Sequence, residues 1–370
     1  MNQERRRKWE RTLAFQNTTE PLVDFMVSRQ ENQKLMDYLQ VHTERELLDA
    51  VGSDFFYVPG RDISQNEGFL PYYKHSLPMD DTHRTCPLGI RWLRRAYDSK
   101  FSVDEAVEGP FQSEDVTAQD ILNFPWPKAS DFDFSGMVGE CEKNADRITI
   151  GGLWTGLMGD CYRMMGFQNF LLNTALQPEL VDTLISRMAE MYLELNDSIF
   201  RQLKGKLDIW FFGNDLGSQS SLLISGEMIE RFFFRHFKQL CDLAHSYGIH
   251  VMMHSCGCIG EIIPMLVRAG VEILDPIQVT AKGMDPQTLA REQGGKIVFH
   301  GGVDTQQVLP FGTTEQVRQH ALEVTRTLAA TGGYIFSGSQ ILGEDIPCEN
   351  VMEMYKAINQ YKKEMGGNNI

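Results

Sequence analysis

Positive charge is scarce in this chain. Among 370 residues, 35 Lys and Arg stand against 50 Asp and Glu, leaving a formal net charge of −15. That balance argues against nucleic acid or an anionic membrane as the main partner, because neither is attracted over most of the surface. Cysteine is also sparse: the seven residues are odd in number and scattered, which is not a disulfide framework. No apolar run approaches the roughly 20 residues of a membrane span. The opening MNQERRRKWERTLAFQN is basic but lacks the apolar core of a signal peptide. The expectation from these absences is a cytoplasmic protein in a reducing compartment, with no membrane and no nucleic-acid partner. Phosphate-loop, dinucleotide-turn and HExxH signatures are absent as well. The segment from Asp242 to Gly248 approximates an Asp-x-His-x-x-Gly corrinoid motif, but His245 comes one residue late and falls in a helical stretch.

What is present is a series of short β-branched or aromatic runs separated by helical periods. They begin at Pro21, Asp54, Arg147, Leu207, Gly248, Gly270, Gly295 and Gly332. The intervening stretches open on capping residues such as Ser225 and stop at glycines such as Gly248. Strand then helix, repeated eight times, predicts an α/β fold, a single (β/α)8 TIM barrel over residues 1–370. The long gap between the second and third strands predicts an insertion over residues 60–146, read as a lid or specificity wall.

A barrel presents its chemistry at the C-terminal ends of its strands. Those ends carry Trp154, Asn214, Asp215, Gln219, His254, Cys256, Cys258, Asp275, Gln278, Asp304, Ser337, Ser339 and Gln340. His254-Ser255-Cys256-Gly257-Cys258 holds the soft-to-borderline donors that zinc prefers, and a strand end can point alternate residues at one centre. This makes His254, Cys256 and Cys258 the metal-ligand candidates. The same segment also reads as a buried free cysteine beside a hydrogen-bonded core histidine. Cys86, Cys141, Cys161 and Cys241 have no local His or Cys partner and read as packing.

The stretch HSCGCIGEIIPMLVRAGVEILDPIQ resembles the uroporphyrinogen decarboxylase superfamily, particularly its cobalamin-dependent methyltransferase branch. The resemblance extends through NDLGSQSSLLIS, HGGVDTQQVLPFGTTEQV and GGYIFSGSQILGEDIPCENV, and more weakly to the first strand. It implies a (β/α)8 barrel and a zinc ion held by His254 and Cys256. A small methylated substrate would exchange its methyl group with a corrinoid, cobalamin, carried by a separate protein docked at the barrel mouth. Asp215 and Gln219 would orient the substrate, with Asp304 and Gln340 on the opposite wall. The family's third zinc ligand, a distant cysteine, falls on Gln340 here, leaving Cys258 and Cys348 as replacements. The decarboxylases of the superfamily suggest another reading, in which Asp54 of SDFFYVP and Arg29 of MVSRQENQ act on a tetrapyrrole or other carboxylate. A third reading is a non-catalytic barrel that binds a ligand or partner. Oligomeric state is not legible, and a homo-oligomer is left open.

Overall fold

The computed structural model describes residues 2–58, 72–80, 82–96 and 102–366. Two short strands come first, β1 (Leu22–Val23) and β2 (Phe55–Tyr57). Next comes a separate antiparallel sheet of β3 (His83–Thr85), β4 (Arg91–Ala96) and β5 (Ser102–Glu108). The remaining strands are β6 (Ile148–Gly151), β7 (Ile209–Gly213), β8 (His250–His254), β9 (Ile273–Asp275), β10 (Val298–His300) and β11 (Tyr334–Phe336). Apart from β3–β5, all strands join one parallel sheet in the order β1-β11-β10-β9-β8-β7-β6-β2. It is an eight-stranded, nearly closed barrel with helices outside, as the strand count predicts.

The strands are apolar on both faces because both faces are covered. Alternate residues point inward, so Leu22, Phe55, Tyr57, Ile148, Ile150, Ile209, Phe211, Met252, Ile273, Val298 and Ile335 fill the barrel. Their neighbours, among them Val23, Phe56, Trp210, Phe212, Met253 and Phe299, pack outward against the helices. The seam between β1 and β2 is bridged by Asp54. Its backbone N–H donates to the Val23 carbonyl at 2.7 Å, and its Oδ2 accepts from the Val23 N–H at 3.0 Å. The helix Gln3–Leu13 floors the N-terminal end: Trp9 meets Phe55 and His250 edge-on, and these are the first residues of β2 and β8.

The β3–β5 sheet falls within the expected insertion, of which residues 60–71, 81 and 97–101 lie outside the described residues. It leans on the helix Leu157–Met165 that follows β6. The Trp92 ring faces the guanidinium groups of Arg84 and Arg163, and the Phe111 N–H donates to the Met164 carbonyl at 2.8 Å. Among the described residues, no helix is long and apolar enough to cross a membrane.

Candidate metal site at the C-terminal mouth

Two strand ends build the core of the site. His254 is the last residue of β8, and Asp215 follows Gly213 at the end of β7. The two loops are tied together: the Asn214 N–H donates to the His254 carbonyl at 2.9 Å, and the Leu216 N–H donates to Ser255 Oγ at 3.1 Å. The Cys256 N–H then donates to Asp215 Oδ1 at 3.1 Å. This folds the chain so that Asp215, His254 and Cys256 each offer one donor atom, all within 4.8 Å of one another. His254 Nε2 lies 3.2 Å from Cys256 Sγ and 3.5 Å from Asp215 Oδ1. Zinc bonds of about 2.0–2.3 Å at tetrahedral angles put neighbouring donors about 3.4–3.6 Å apart. His254 Nε2 therefore stands near a zinc-ligand separation from both partners, and the donor set suits a zinc-sized ion with Cys256 Sγ and the Asp215 oxygen no more than 4.8 Å apart.

The imidazole is oriented from behind. His254 Nδ1 donates to Asp275 Oδ2 at 2.6 Å, which leaves Nε2 as the atom facing Cys256 and Asp215. Burial would lower the His254 pKa, but the charge at Cys256 and the bond to Asp275 raise it well above its ordinary value. Without a metal, a proton on Nε2 answers the sulfur and carboxylate, and a bound cation would displace it. Burial would raise the Asp275 pKa, but His300 and His254 pull it down to about 2.

Gln340 also reaches this centre. Its Nε2 donates to Cys256 Sγ at 3.0 Å and its Oε1 accepts from the Ile341 N–H at 3.0 Å. An amide N–H aimed at sulfur is a hydrogen-bond donor and cannot be a metal ligand in that pose. The third donor of the cluster is Asp215. Trp154 forms a wall: its ring centre lies 5.5 Å from that of His254 and 5.3 Å from that of Phe211. Gly213 is required beneath it, because a Cβ there would fall 1.8 Å from the indole.

The other expected residues are outside the donor cluster. Cys258 is outside the donor cluster and lines a neighbouring cleft of about 700 Å³ with Ser220, Glu261 and Lys282. Strand alternation stops at His254, and Gly257 turns the backbone at φ +87°, so Cys258 does not repeat the direction of Cys256. Gln219 belongs to an amide chain: Gln278 Nε2 donates to its Oε1 at 3.0 Å, and its own Nε2 donates to the Thr280 carbonyl at 2.6 Å. Asp304 caps a turn, its Oδ1 accepting from the N–H groups of Gln306 and Gln307 at 2.7 and 3.2 Å. Cys348 is buried at the start of the last helix, 4.0 Å from the Lys34 carbonyl.

Asp54 lies at the N-terminal end of β2, opposite this cluster. Besides bridging the seam, it accepts from Lys8 Nζ at 2.9 Å and Arg5 Nε at 3.3 Å. Arg29 is exposed at the start of the helix that follows β1, so the two do not form one site. Asp54→Asn is expected to cost about 1.5–3 kcal/mol of stability, the range for a lost bond to a charged group. Urea unfolding of the variant checks that, and its metal affinity should match wild type within about twofold, well under the 10-fold that disturbing a ligand's own support brings.

Three residues that the sequence did not single out, Asp24, Tyr57 and His300, bond in a chain to Asp275 behind His254. Tyr57 and His300 end β2 and β10, and Asp24 follows β1. The signal was available, since VFH of β10 ends on histidine just as HVMMH of β8 does.

The chain belongs to the uroporphyrinogen decarboxylase (URO-D) family, whose model matches residues 134–361, more than half of its length. Among solved structures it is similar to a methyltransferase from Methanosarcina mazei, at 15% identity and a TM-score of 0.63, covering 96% of this chain and 98% of that one. Weaker likenesses include an IOLI protein with a bound zinc atom (15% identity, TM-score 0.30, covering 62% of this chain and 91% of that one). Another is a tandem GH20 catalytic module of the pneumococcal exo-β-D-N-acetylglucosaminidase StrH (12% identity, TM-score 0.43, covering 95% and 84%). At these identities the likeness is one of fold. Among curated proteins, none matches the chain by sequence.

Proposed function

We propose that this chain is a metal-dependent methyltransferase, exchanging a methyl group between a small methylated substrate and the corrinoid of a separate protein. The observation that carries the reading is the Asp215–His254–Cys256 donor set at the C-terminal mouth of the barrel. The family membership and the shared fold with a methyltransferase support it. Zinc, when bound, supplies Lewis acidity toward the heteroatom that carries or receives the methyl group. Asp275 holds the Nδ1 proton of His254 and so presents Nε2 toward the other two donors. Gln340 donates to Cys256 Sγ, which fixes the thiol rotamer and draws charge from the sulfur. Trp154 closes one side of the centre with an apolar ring and limits water there. An oxygen donor in place of a second sulfur makes the ligand set harder than a two-cysteine site. Decarboxylation through Asp54 and Arg29 finds no support in this geometry.

The test is a spectroscopic assay of free methylcobalamin and cob(I)alamin with panels of thiols and methylated donors. The purified protein is used with zinc and after chelation. Methyl exchange that requires zinc is the expected result. Zinc uptake by His254 and Cys256 without any exchange would favour a binding barrel.

A further inference from the structure

Behind His254 a buried polar chain crosses the barrel mouth. Asp275 bonds His254 through Oδ2 and His300 Nδ1 through Oδ1, both at 2.6 Å. His300 Nε2 donates to Asp24 Oδ2 at 2.9 Å, and Tyr57 OH donates to the same oxygen at 2.7 Å. The chain joins the ends of β8, β9 and β10 to those of β1 and β2. Asp24, Asp275 and His300 are at most 1% exposed.

We infer that His300, clamped between Asp24 and Asp275, is a positioning residue for His254, fixing through Asp275 the tautomer and direction of the metal-facing imidazole. The inference rests on the proposed metal site. Carboxylate oxygens accept, so both nitrogens of His300 donate and the ring is an imidazolium. Burial would lower its pKa, but Asp275 and Asp24 raise it to about 9. A carboxylate bonded through one oxygen can rotate about its last torsion, whereas one bonded through both is fixed. His300 is what occupies the second oxygen of Asp275. Stability alone does not account for the arrangement. Well-packed apolar residues usually serve a barrel interior as well as a buried ion network does, and Asp24 Oδ1 is buried without a hydrogen-bond partner.

The test is cobalt(II) and zinc binding to the full-length wild type and to His300→Gln, with Asp24→Asn as a milder second variant. Each is read by chelator competition and by the visible spectrum of the cobalt form. Groups behind a metal ligand typically contribute about 10–100-fold to affinity. His300→Gln is expected to weaken cobalt binding by about that range and to shift the cobalt d–d bands. Asp24→Asn should move both readouts the same way by less. Unchanged affinity and spectrum in the folded variants, with wild type binding normally, would overturn the inference and leave the metal site standing. If His300→Gln fails to fold, an unaltered Asp24→Asn overturns it equally. Wild type that binds no cobalt, or His254→Ala that binds as tightly as wild type, would overturn the metal site and the inference with it.

Discussion

Cys256→Ser and His254→Ala are each expected to remove stoichiometric zinc. Wild type should retain about one equivalent after loading and desalting, and each variant should lose affinity by more than ~100-fold, beyond what disturbing the supporting groups does. Elemental analysis with chelator competition checks it. The expectation follows from the number of donors. Three side chains meet at this centre, and removing either the sulfur or the imidazole leaves two, one of them the exposed Asp215. Cys258→Ser should leave zinc content unchanged, because Cys258 lies outside the cluster. Metal uptake should also release the His254 proton, so apparent affinity falls as pH falls.

The second large effect concerns Asp275. Asp275→Asn is expected to destabilise the fold by about 3–5 kcal/mol, the range for removing one partner of a buried charge network. The amide keeps the shape but removes the charge between two imidazoles, and its NH2 must face one of their N–H groups. The pH dependence has a definite sign. Asp275 is depressed from 3.8 to about 2, so its stabilisation is present above pH ~4 and fades toward pH 2. His300 is raised from 6.5 to about 9, so its contribution is complete below pH ~6.5 and is lost as pH rises through about 9. The gap between wild type and variant should therefore be widest between about pH 4 and 6.5. Urea unfolding from about pH 3 to pH 9 measures it, and a gap no narrower outside that window than inside it would contradict the network.

The barrel was legible because its strands are buried on both faces. Runs such as LDIWFFGND and GIHVMMHSCG are too apolar for half-exposed strands and too short for helices. The β3–β5 sheet was not, since RWLRRA and SVDEAVE carry their charges on an exposed ladder of ion pairs and bury little. Within the site, His254 and Cys256 were legible as a donor pair two residues apart. Asp215 was visible as a strand-end carboxylate, but its bond from the Cys256 N–H, which holds it beside His254 and Cys256, was not. Cys258 continued the alternation on paper, and a positive φ at Gly257 ended it in three dimensions. Asp54 was singled out by a loose motif match, while its position just before β2 places it at the floor of the barrel. The Asp24–His300 bond spans 276 residues and depends on which strands close the barrel, which no local pattern carries.

X-ray absorption at the zinc edge of the loaded wild-type protein tests the ligand set most directly. One sulfur at about 2.3 Å with nitrogen and oxygen neighbours at about 2.0–2.2 Å is expected, with loss of the sulfur shell in Cys256→Ser. Two sulfurs at about 2.3 Å, or a sulfur shell that survives in Cys256→Ser, would contradict that ligand set and return Cys258 or Cys348 to the metal.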